Sequence, residues 1–172
     1  MSANFAQTVL SLDQLVFTTR EVAERNKTSV ASASQGLARL AKSGLLTRVL
    51  RNVWAKTTDK RLSAYDIIPY LNPKHRAYLS FISALNLYGV ISQIPQVITV
   101  ASTAHSQMVK TTLGTFHVHQ LSPDFFDGFD WAAGHGYLVA TPEKALVDCL
   151  YLSCHKKRQF KHFPEIDLSA LK

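Results

Sequence analysis

The clearest periodic pattern of apolar and polar residues lies in residues 28–44, and it predicts an α-helix. Four apolar residues recur there at steps of three and four positions, which places them on one stripe of the helix. They are Val30, Ala33, Leu37 and Leu40. Thr28 carries a side-chain oxygen just before the stripe and is predicted to cap the helix. Gly44, two positions after Lys42, is predicted to end it.

Two short runs of strand-forming residues follow this helix. Residues 45–49 are predicted to form a strand, residues 50–52 a tight turn and residues 53–56 the returning strand. Arg48 and Arg51 make this hairpin basic. A helix followed by a short basic hairpin is the second half of a winged helix-turn-helix. That arrangement places one helix in the major groove of DNA and the hairpin against the backbone.

The residues before the helix complete this arrangement. Apolar residues at helical spacing predict one amphipathic helix over residues 3–16, broken by Phe17 and Thr18. Thr18 and Glu21 have the spacing of a capping box at the start of a second helix, Thr19–Arg25. Residues 26–27 form the turn into the third helix. The sequence therefore predicts a winged helix-turn-helix domain over residues 1–58.

The helix face opposite the apolar stripe supplies the chemistry of this prediction. That face carries short or hydrogen-bonding residues, namely Ser29, Ser32, Gln35, Gly36 and Arg39. No acidic residue occurs from Val30 up to Asp59. Because phosphate oxygens repel carboxylates, an acid-free helix and hairpin are typical of DNA contact. The alternative is an ordinary three-helix cluster with a hairpin and no role in DNA binding.

The remaining residues predict a mixed α/β domain over 73–172, joined to the first by a linker over 59–72. Pro73 is predicted to start a helix with a core stripe, and residues 65–70 are predicted to be extended. The stripe consists of Tyr78, Phe81, Ile82, Leu85 and Leu87. Strands are predicted at residues 97–101, 116–121 and 136–140, and a last helix is predicted with Thr141 as its cap and Pro142 at its first position. Its predicted apolar face consists of Ala145, Leu146, Cys149, Leu150 and Leu152. The predicted fold class is α+β.

Composition and charge agree with a folded protein that has a polyanionic partner. Hydrophobic residues make up 47% of the chain, which excludes a disordered protein. The net charge is +7, and residues 1–58 hold eight Lys and Arg against three Asp and Glu. The excess positive charge therefore lies where the helix and hairpin are predicted. The basic tail, residues 155–162 (HKKRQFKH), is interpreted as a solvated helix end, with a second nucleic-acid or partner contact as the alternative.

The chain shows no signal of export or membrane insertion. It has no basic segment leading into an apolar run with a cleavage site, and no apolar run of about 20 residues. Cys149 and Cys154 are the only cysteines and lack a CxxC partner, so both are predicted to be reduced and structural. These features predict a cytoplasmic protein.

The sequence offers one candidate metal site. His117 and His119 alternate on a predicted strand, so both imidazoles share one face, and three aspartates follow in an aromatic-rich loop. A metal site needs three or four converging ligands, and the sequence lacks zinc-hydrolase, nucleotide-loop and nucleophile-elbow motifs. We therefore predict solvent-facing histidines, no enzyme, no metal and no cofactor. A metal-dependent hydrolase is the weaker alternative.

Three stretches together resemble the AbiEi family of antitoxins from bacterial abortive-infection and type IV toxin–antitoxin modules. They are FTTREVAERNKTSVASASQGLARLAKSGLLTRVLRNVWAK, YLSFISALNLYGVISQIPQVITVAS and GYLVATPEKALVDCLYL. The first is unspecific by itself, whereas the ISQIP-x-VITV and ATPEKALVD segments in this order are much more specific. Family members commonly continue with a further helical stretch, so the resemblance predicts an abbreviated C-terminal domain here.

The resemblance implies a repressor that binds inverted repeats in its own promoter, with an antitoxin domain after it. The implied partners are double-stranded DNA and a cognate nucleotidyltransferase-like toxin, which the protein antagonises with or without a stable complex. Monomers on paired sites and dimers both fit. The acid-free face, the basic residues and the resemblance together give one set of predicted DNA-contacting residues. The set is Thr28, Ser29, Ser32, Gln35, Arg39, Lys42, Arg48, Arg51 and Asn52.

A protein of another class also fits the sequence. In that alternative the winged helix mediates dimer or toxin contact instead of DNA binding, and the apolar segment LYGVISQIP, residues 87–95, is a candidate contact surface.

Overall fold

The structure, a computed structural model, describes residues 2–155 and 165–167. The chain forms two compact units. The first comprises Met1–Ile67 with Thr111–Leu113, and the second comprises Ile68–Lys110 with Gly114–Lys172. Each unit combines helices with a β-sheet, so the fold class is α+β, as the sequence predicts.

The first unit consists of helices packed on a small antiparallel sheet. Its elements are α1 (Ser2–Leu10), β1 (Val16–Thr18), α2 (Thr19–Arg25), α3 (Val30–Lys42), β2 (Leu46–Leu50) and β3 (Val53–Lys56). The strand order among the described residues is β1-β3-β2, with both pairs antiparallel. The core lies between the helices and the sheet, and its fully buried members include Val9, Phe17 and Leu37.

The prediction of one helix over residues 3–16 is wrong in its second half. Helix α1 ends at Leu10, and residues 16–18 form β1, which pairs Phe17 with Trp54 of β3. The buried Lys56 ammonium donates to the carbonyls of Leu10 and Leu12, so it satisfies backbone groups where α1 ends. Burial lowers the pKa of Lys56. Contacts with Trp54 and Lys56, which are distant in sequence, set the end of α1. Helical periodicity cannot reveal such contacts.

The predicted capping box at the start of α2 and the predicted glycine stop after α3 are both present. Thr18 and Glu21 form the capping box of α2, with the Thr18 amide donating to the Glu21 carboxylate at 2.6 Å. Gly44 follows α3 with φ +78°, and its amide donates to the Ala41 carbonyl at 3.0 Å. The next amide, of Leu45, donates to the Leu40 carbonyl at 3.1 Å, which completes a Schellman motif.

One residue assigned to the exposed face of α3 is buried. Gly36 packs against the ring of Phe5 on α1, and a Cβ at position 36 would lie 2.5 Å from Phe5 Cε1. The absence of a side chain therefore allows α1 and α3 to approach closely.

Gly36→Ala is expected to destabilise the first unit by up to about 2 kcal/mol. Overpacking costs about 1–3 kcal/mol, and the gain in helix propensity offsets about 1 kcal/mol of it. Urea unfolding in two backgrounds tests the cause. In a Phe5→Ala background the same substitution should be neutral or stabilising, since the clashing ring is gone. An equal loss in both backgrounds would contradict this account.

The second unit is built on a mixed sheet. Its elements are β4 (Ala77–Leu79), α4 (Phe81–Leu87), β5 (Ile98–Ser102), β6 (Gln107–Thr111), β7 (Gly114–Gln120), β8 (Phe129–Trp131), β9 (Leu138–Ala140) and α5 (Pro142–His155). The strand order among the described residues is β6-β7-β5-β4-β9-β8. Strands β4 and β9 are parallel, as are β5 and β7, whereas β4–β5 and β8–β9 are antiparallel. Helices α4 and α5 pack together.

Several predicted details of this half are wrong. Tyr78 lies on β4 and not on a helix, because it is paired in register with Ala101 on one side and Leu138 on the other. The helix begins at Phe81, which has a φ of +56°. The segment predicted to be extended is part of the 3-10 helix Ala64–Tyr70. Leu150, predicted on the apolar face of α5, is 48% exposed.

A buried polar cluster joins α5 to β4. The Asp148 carboxylate is fully buried, and Oδ1 lies 2.8 Å from Lys144 Nζ. Its other oxygen accepts hydrogen bonds from Ser80 Oγ at 2.6 Å and from Tyr78 OH at 3.0 Å. Burial raises the pKa of Asp148, against the lowering effect of its three donors. Lys144 also donates to the Phe125 carbonyl at 2.7 Å, so the cluster holds the loop before β8 against α5.

Both cysteines are free thiols, Cys149 buried and Cys154 exposed. Burial raises the pKa of the Cys149 thiol, which makes it unreactive. In the described part of the chain, no helix combines the length and the apolar character needed to cross a bilayer.

Candidate nucleic-acid interface

Helix α3 starts from a cap that differs from the predicted one. Ser29 is the N-cap, and its Oγ accepts the Ser32 amide at 3.1 Å and lies 2.9 Å from Ser32 Oγ. Thr28 stands one position earlier, where its amide donates to the Ala23 carbonyl at 2.9 Å and closes the turn from α2. Lys27 supports this tight turn with a φ of +51°. Helix α2 ends at Arg25 as predicted, but the turn that follows it includes Thr28, so the cap moves from Thr28 to Ser29.

Ser29→Ala and Thr28→Ala form a matched pair that tests this assignment. Ser29→Ala should lower the free energy of unfolding of the first unit by about 1 kcal/mol, because an orphan amide loses its acceptor. Thr28→Ala should change it by less than about 0.5 kcal/mol, as exposed substitutions usually do. Urea unfolding followed by circular dichroism measures both, and a larger loss for Thr28→Ala would contradict the assignment.

The predicted DNA-contacting side chains are all exposed. They are Thr28, Ser29, Ser32, Gln35, Arg39, Lys42, Arg48, Arg51 and Asn52. Val30, predicted in the apolar stripe, is also 50% exposed, whereas Ala33 and Leu37 of the stripe are buried and Leu40 is half-buried. Arg39 Nε donates to the Gln35 carbonyl at 3.4 Å, which holds this cation along the helix.

The hairpin of β2 and β3 is fixed to the start of α2 by a buried tryptophan. Trp54 Nε1 donates to Thr19 Oγ1 at 2.9 Å, and the Thr19 amide donates to the Asn52 carbonyl at 2.9 Å. Asn52 occupies the hairpin turn with a φ of +62°, a conformation that asparagine tolerates better than most residues. The Arg48 guanidinium lies 5.9 Å from the Trp54 ring centroid, so a cation–π contact orients it.

The acidic residues just before and just after the predicted DNA-contacting residues form hydrogen bonds or ion pairs with other groups. The Glu21 carboxylate caps α2, and Glu24 lies 3.9 Å from Arg20. Asp59 ends the acid-free stretch and binds the Arg61 guanidinium through both carboxylate oxygens, at 2.7 and 3.1 Å. These hydrogen bonds lower the pKa of Asp59 to about 2. The exposed residues from 26 to 58 therefore carry positive charge and no carboxylate.

Sequence reasoning missed two features of this surface. Lys27 is exposed in the turn before α3 and adds a cation next to the predicted set. The link between Trp54 and Thr19 was also missed, although a tryptophan that flanks a basic turn needs a partner for its indole N–H. That requirement was the one signal in the sequence that could have indicated it.

The histidine pair lies inside the second unit. His117 and His119 share one face of β7, with ring centroids 3.9 Å apart. The prediction that both face solvent is wrong, since His119 is 2% exposed and lies 4.8 Å from the Phe81 ring. The cause is that the face of β7 that carries His119 packs against Phe81 at the start of α4. Among the described residues, no group of three or more potential ligands could hold a metal ion.

Comparisons with known proteins give no family. No protein-family model matches the chain, and no curated protein sequence matches it. Assignment to a family is therefore a proposal that rests on the chain's own residues. The basic tail, residues 155–162, lies almost entirely outside the described residues.

Proposed function

We propose that the first unit is a winged helix-turn-helix domain that binds double-stranded DNA. Helices α2 and α3 joined by a tight turn, with a basic hairpin directly after them, support this proposal. In it, α3 enters the major groove, and the turn at Arg51 and Asn52 lies against the phosphate backbone.

One observation carries the proposal: α3 and the hairpin expose cations and hydrogen-bonding side chains without any carboxylate. The predicted cations Arg39, Lys42, Arg48 and Arg51 are all exposed. A solvated helix face usually mixes both signs of charge. A surface that carries only positive charge instead favours binding to a polyanion. The polyanion releases its condensed counterions when the complex forms.

The side chains divide into two roles. Arg39, Lys42, Arg48 and Arg51 attract and position the phosphate backbone, while Ser32, Gln35 and Arg39 read base edges. Glutamine suits adenine and arginine suits guanine. Ser29 already uses its hydroxyl oxygen as the helix cap, so its role in reading bases is the weakest of the set.

At the level of the whole protein, we propose an autorepressor and antitoxin of the AbiEi type. It would act in the cytoplasm on repeats in its own promoter and antagonise a nucleotidyltransferase-like toxin. The packing of the second unit supports the resemblance. The second and third stretches that carry the resemblance are far apart in sequence but adjacent in space: β4 pairs with β9, and Ser80 of the second stretch donates to Asp148 of the third. These motifs therefore act as one structural unit.

A gel-shift titration of the full chain with the DNA upstream of its gene tests the function. We expect a sequence-preferring complex whose affinity falls steeply with salt. A nucleotidyltransferase reading frame immediately downstream would support the antitoxin part independently. Absence of any salt-sensitive, sequence-preferring band would reject the DNA-binding function.

That negative result would instead favour a protein-interaction module. Its specific support is the exposed apolar residues of segment 87–95: Leu87 is 45%, Tyr88 40% and Ile94 76% exposed. Other residues of the segment, Val90 and Ile91, are buried and belong to the core of the second unit.

A further inference from the structure

A cleft of about 220 Å³ lies in the second unit beside the amino ends of the parallel strands β4 and β9. It is lined by an exposed aromatic side chain, a run of three basic residues and a few neutral groups. The principal lining residues are Asn72, Lys74, His75, Arg76, Trp131 and Leu138. The DNA surface proposed above is formed by residues of the first unit only.

Strand pairing fixes the aromatic wall of this cleft. Trp131 of β8 is in register with Leu138 of β9, which is in register with Tyr78 of β4, so the three side chains project from the same face of the sheet. Phe129, two residues before Trp131, is on that face too and stacks on Tyr78 with centroids 4.4 Å apart. Trp131 continues this aromatic row to the edge strand, where it is 62% exposed.

The basic wall is a loop held by several hydrogen bonds. The Asn72 side chain accepts the Lys74 amide at 3.0 Å, and the Asn72 carbonyl accepts the His75 amide at 3.3 Å. His75 Nδ1 lies 3.0 Å from Thr103 Oγ1 on the neighbouring segment. The Arg76 guanidinium lies 5.6 Å from the Phe129 ring centroid, so a cation–π contact holds it beside the aromatic row.

The nearby carboxylate points away from the cleft. Asp130 pairs with Val139 and alternates with Trp131, so its side chain projects from the opposite face of the sheet. Its Oδ1 accepts the Trp131 amide at 2.7 Å, which steadies the backbone of the aromatic wall. The described residues that line the cleft include three basic side chains and no acid.

We propose that this cleft binds a nucleotide unit. A planar base stacks on Trp131, and its phosphate is bound by Lys74 and Arg76. Exposed aromatic rings beside cations are the means by which proteins hold unpaired nucleotides without strict sequence preference. The cleft is smaller than the roughly 300–1,000 Å³ of typical ligand pockets, so it can hold no more than one nucleotide unit and leaves part of that unit in solvent. The source is a free nucleotide or one residue of a single strand, and both present the same chemistry.

The test uses the full chain with three probes: AMP, hexa-adenylate and inorganic phosphate. Trp54 is 4% exposed, so quenching of tryptophan emission reports on Trp131. We expect AMP or hexa-adenylate to quench this emission. By calorimetry, Trp131→Ala should weaken the binding roughly 5- to 150-fold, the range for loss of one base–aromatic stack. The double variant Lys74→Gln/Arg76→Gln should weaken it and flatten its salt dependence.

Lys110→Gln is the matched control, because Lys110 is an exposed lysine of the same unit that does not line the cleft. It should leave nucleotide binding unchanged. Trp131→Ala changes an exposed side chain, and circular dichroism verifies its fold. Tighter binding of hexa-adenylate than of AMP identifies a single strand as the source, and the reverse identifies a free nucleotide.

Three results would overturn the proposal. They are no binding of either nucleotide probe, unchanged affinity in Trp131→Ala, and binding of phosphate as strong as that of AMP, which would indicate an anion site only. Binding of the upstream duplex by Trp131→Ala distinguishes a failure of the nucleotide-binding proposal from a failure of the DNA-binding function. That binding requires the first unit and should be retained.

Discussion

Asp148→Ala is expected to lower the free energy of unfolding of the second unit by about 3–5 kcal/mol, the usual cost of leaving one member of a buried ion pair without its partner. The substitution removes the carboxylate 2.8 Å from Lys144 Nζ and the acceptor of both Ser80 and Tyr78. The Lys144 side chain is 8% exposed and would keep the Phe125 carbonyl and a weak contact to Asp127. Urea unfolding followed by circular dichroism measures the loss, and amide exchange in α5 assigns it to the second unit.

Asp127→Ala is the matched control for this prediction. Asp127 Oδ1 lies 3.5 Å from the same Lys144 ammonium, but its side chain is 80% exposed. Such an exposed pair contributes about 0–1 kcal/mol, so its loss should be small. The double variant Asp148→Ala/Lys144→Met should recover much of the stability, because no buried charge remains. Equal losses for Asp148→Ala and Asp127→Ala would show that burial does not set the strength of this pair.

Gln35→Ala should reduce the affinity for the operator by roughly 1–3 kcal/mol and relax the sequence preference at one position. Gln35 is exposed near the middle of α3, where its amide can form two hydrogen bonds with adenine in the major groove. Affinities for the operator and for single-base variants of it measure the effect. If wild type and Gln35→Ala bind every sequence equally well, Gln35 does not read bases.

Arg51→Ala is the contrasting variant. Arg51 is exposed in the hairpin turn, where the proposed contact is to phosphate. Its loss should weaken binding to all sequences alike and lower the slope of log affinity against log salt by about one unit. A change of sequence preference in Arg51→Ala, with an unchanged salt slope, would reverse the two roles.

Local signals in the sequence predicted much of the first unit correctly. The capping box at Thr18 and Glu21, the glycine stop of α3 and the returning strand of the hairpin all lie where the pattern indicates. The capping box and the glycine stop depend on residues a few positions apart, and the returning strand pairs with β2 directly before the turn, so the neighbouring sequence contains most of the cause. The one-residue error at the cap of α3 came from the turn at Lys27, which has a left-handed conformation. No pattern in the sequence predicted that conformation.

The candidate interface is defined by its charge, which the sequence shows, and by its exposure, which the structure shows. The sequence identified an acid-free stretch, and every predicted contact residue is exposed. It could not identify how the hairpin is held, because Trp54 and Thr19 are 35 residues apart. Nor could it identify the cleft around Trp131, whose walls come from a loop before β4 and from the edge strand β8.

The sequence by itself determined the bounds of α2, the glycine stop of α3, the first position of α5 and the part of the chain that carries unbalanced positive charge. Only the tertiary structure decided that Val16 to Thr18 form a strand, that His119 is buried and that Asp148 requires Lys144, Ser80 and Tyr78. The physical reason is the range of the interactions. Helix periodicity and caps act between near neighbours, whereas strand pairing and the satisfaction of a buried charge join residues up to 70 positions apart.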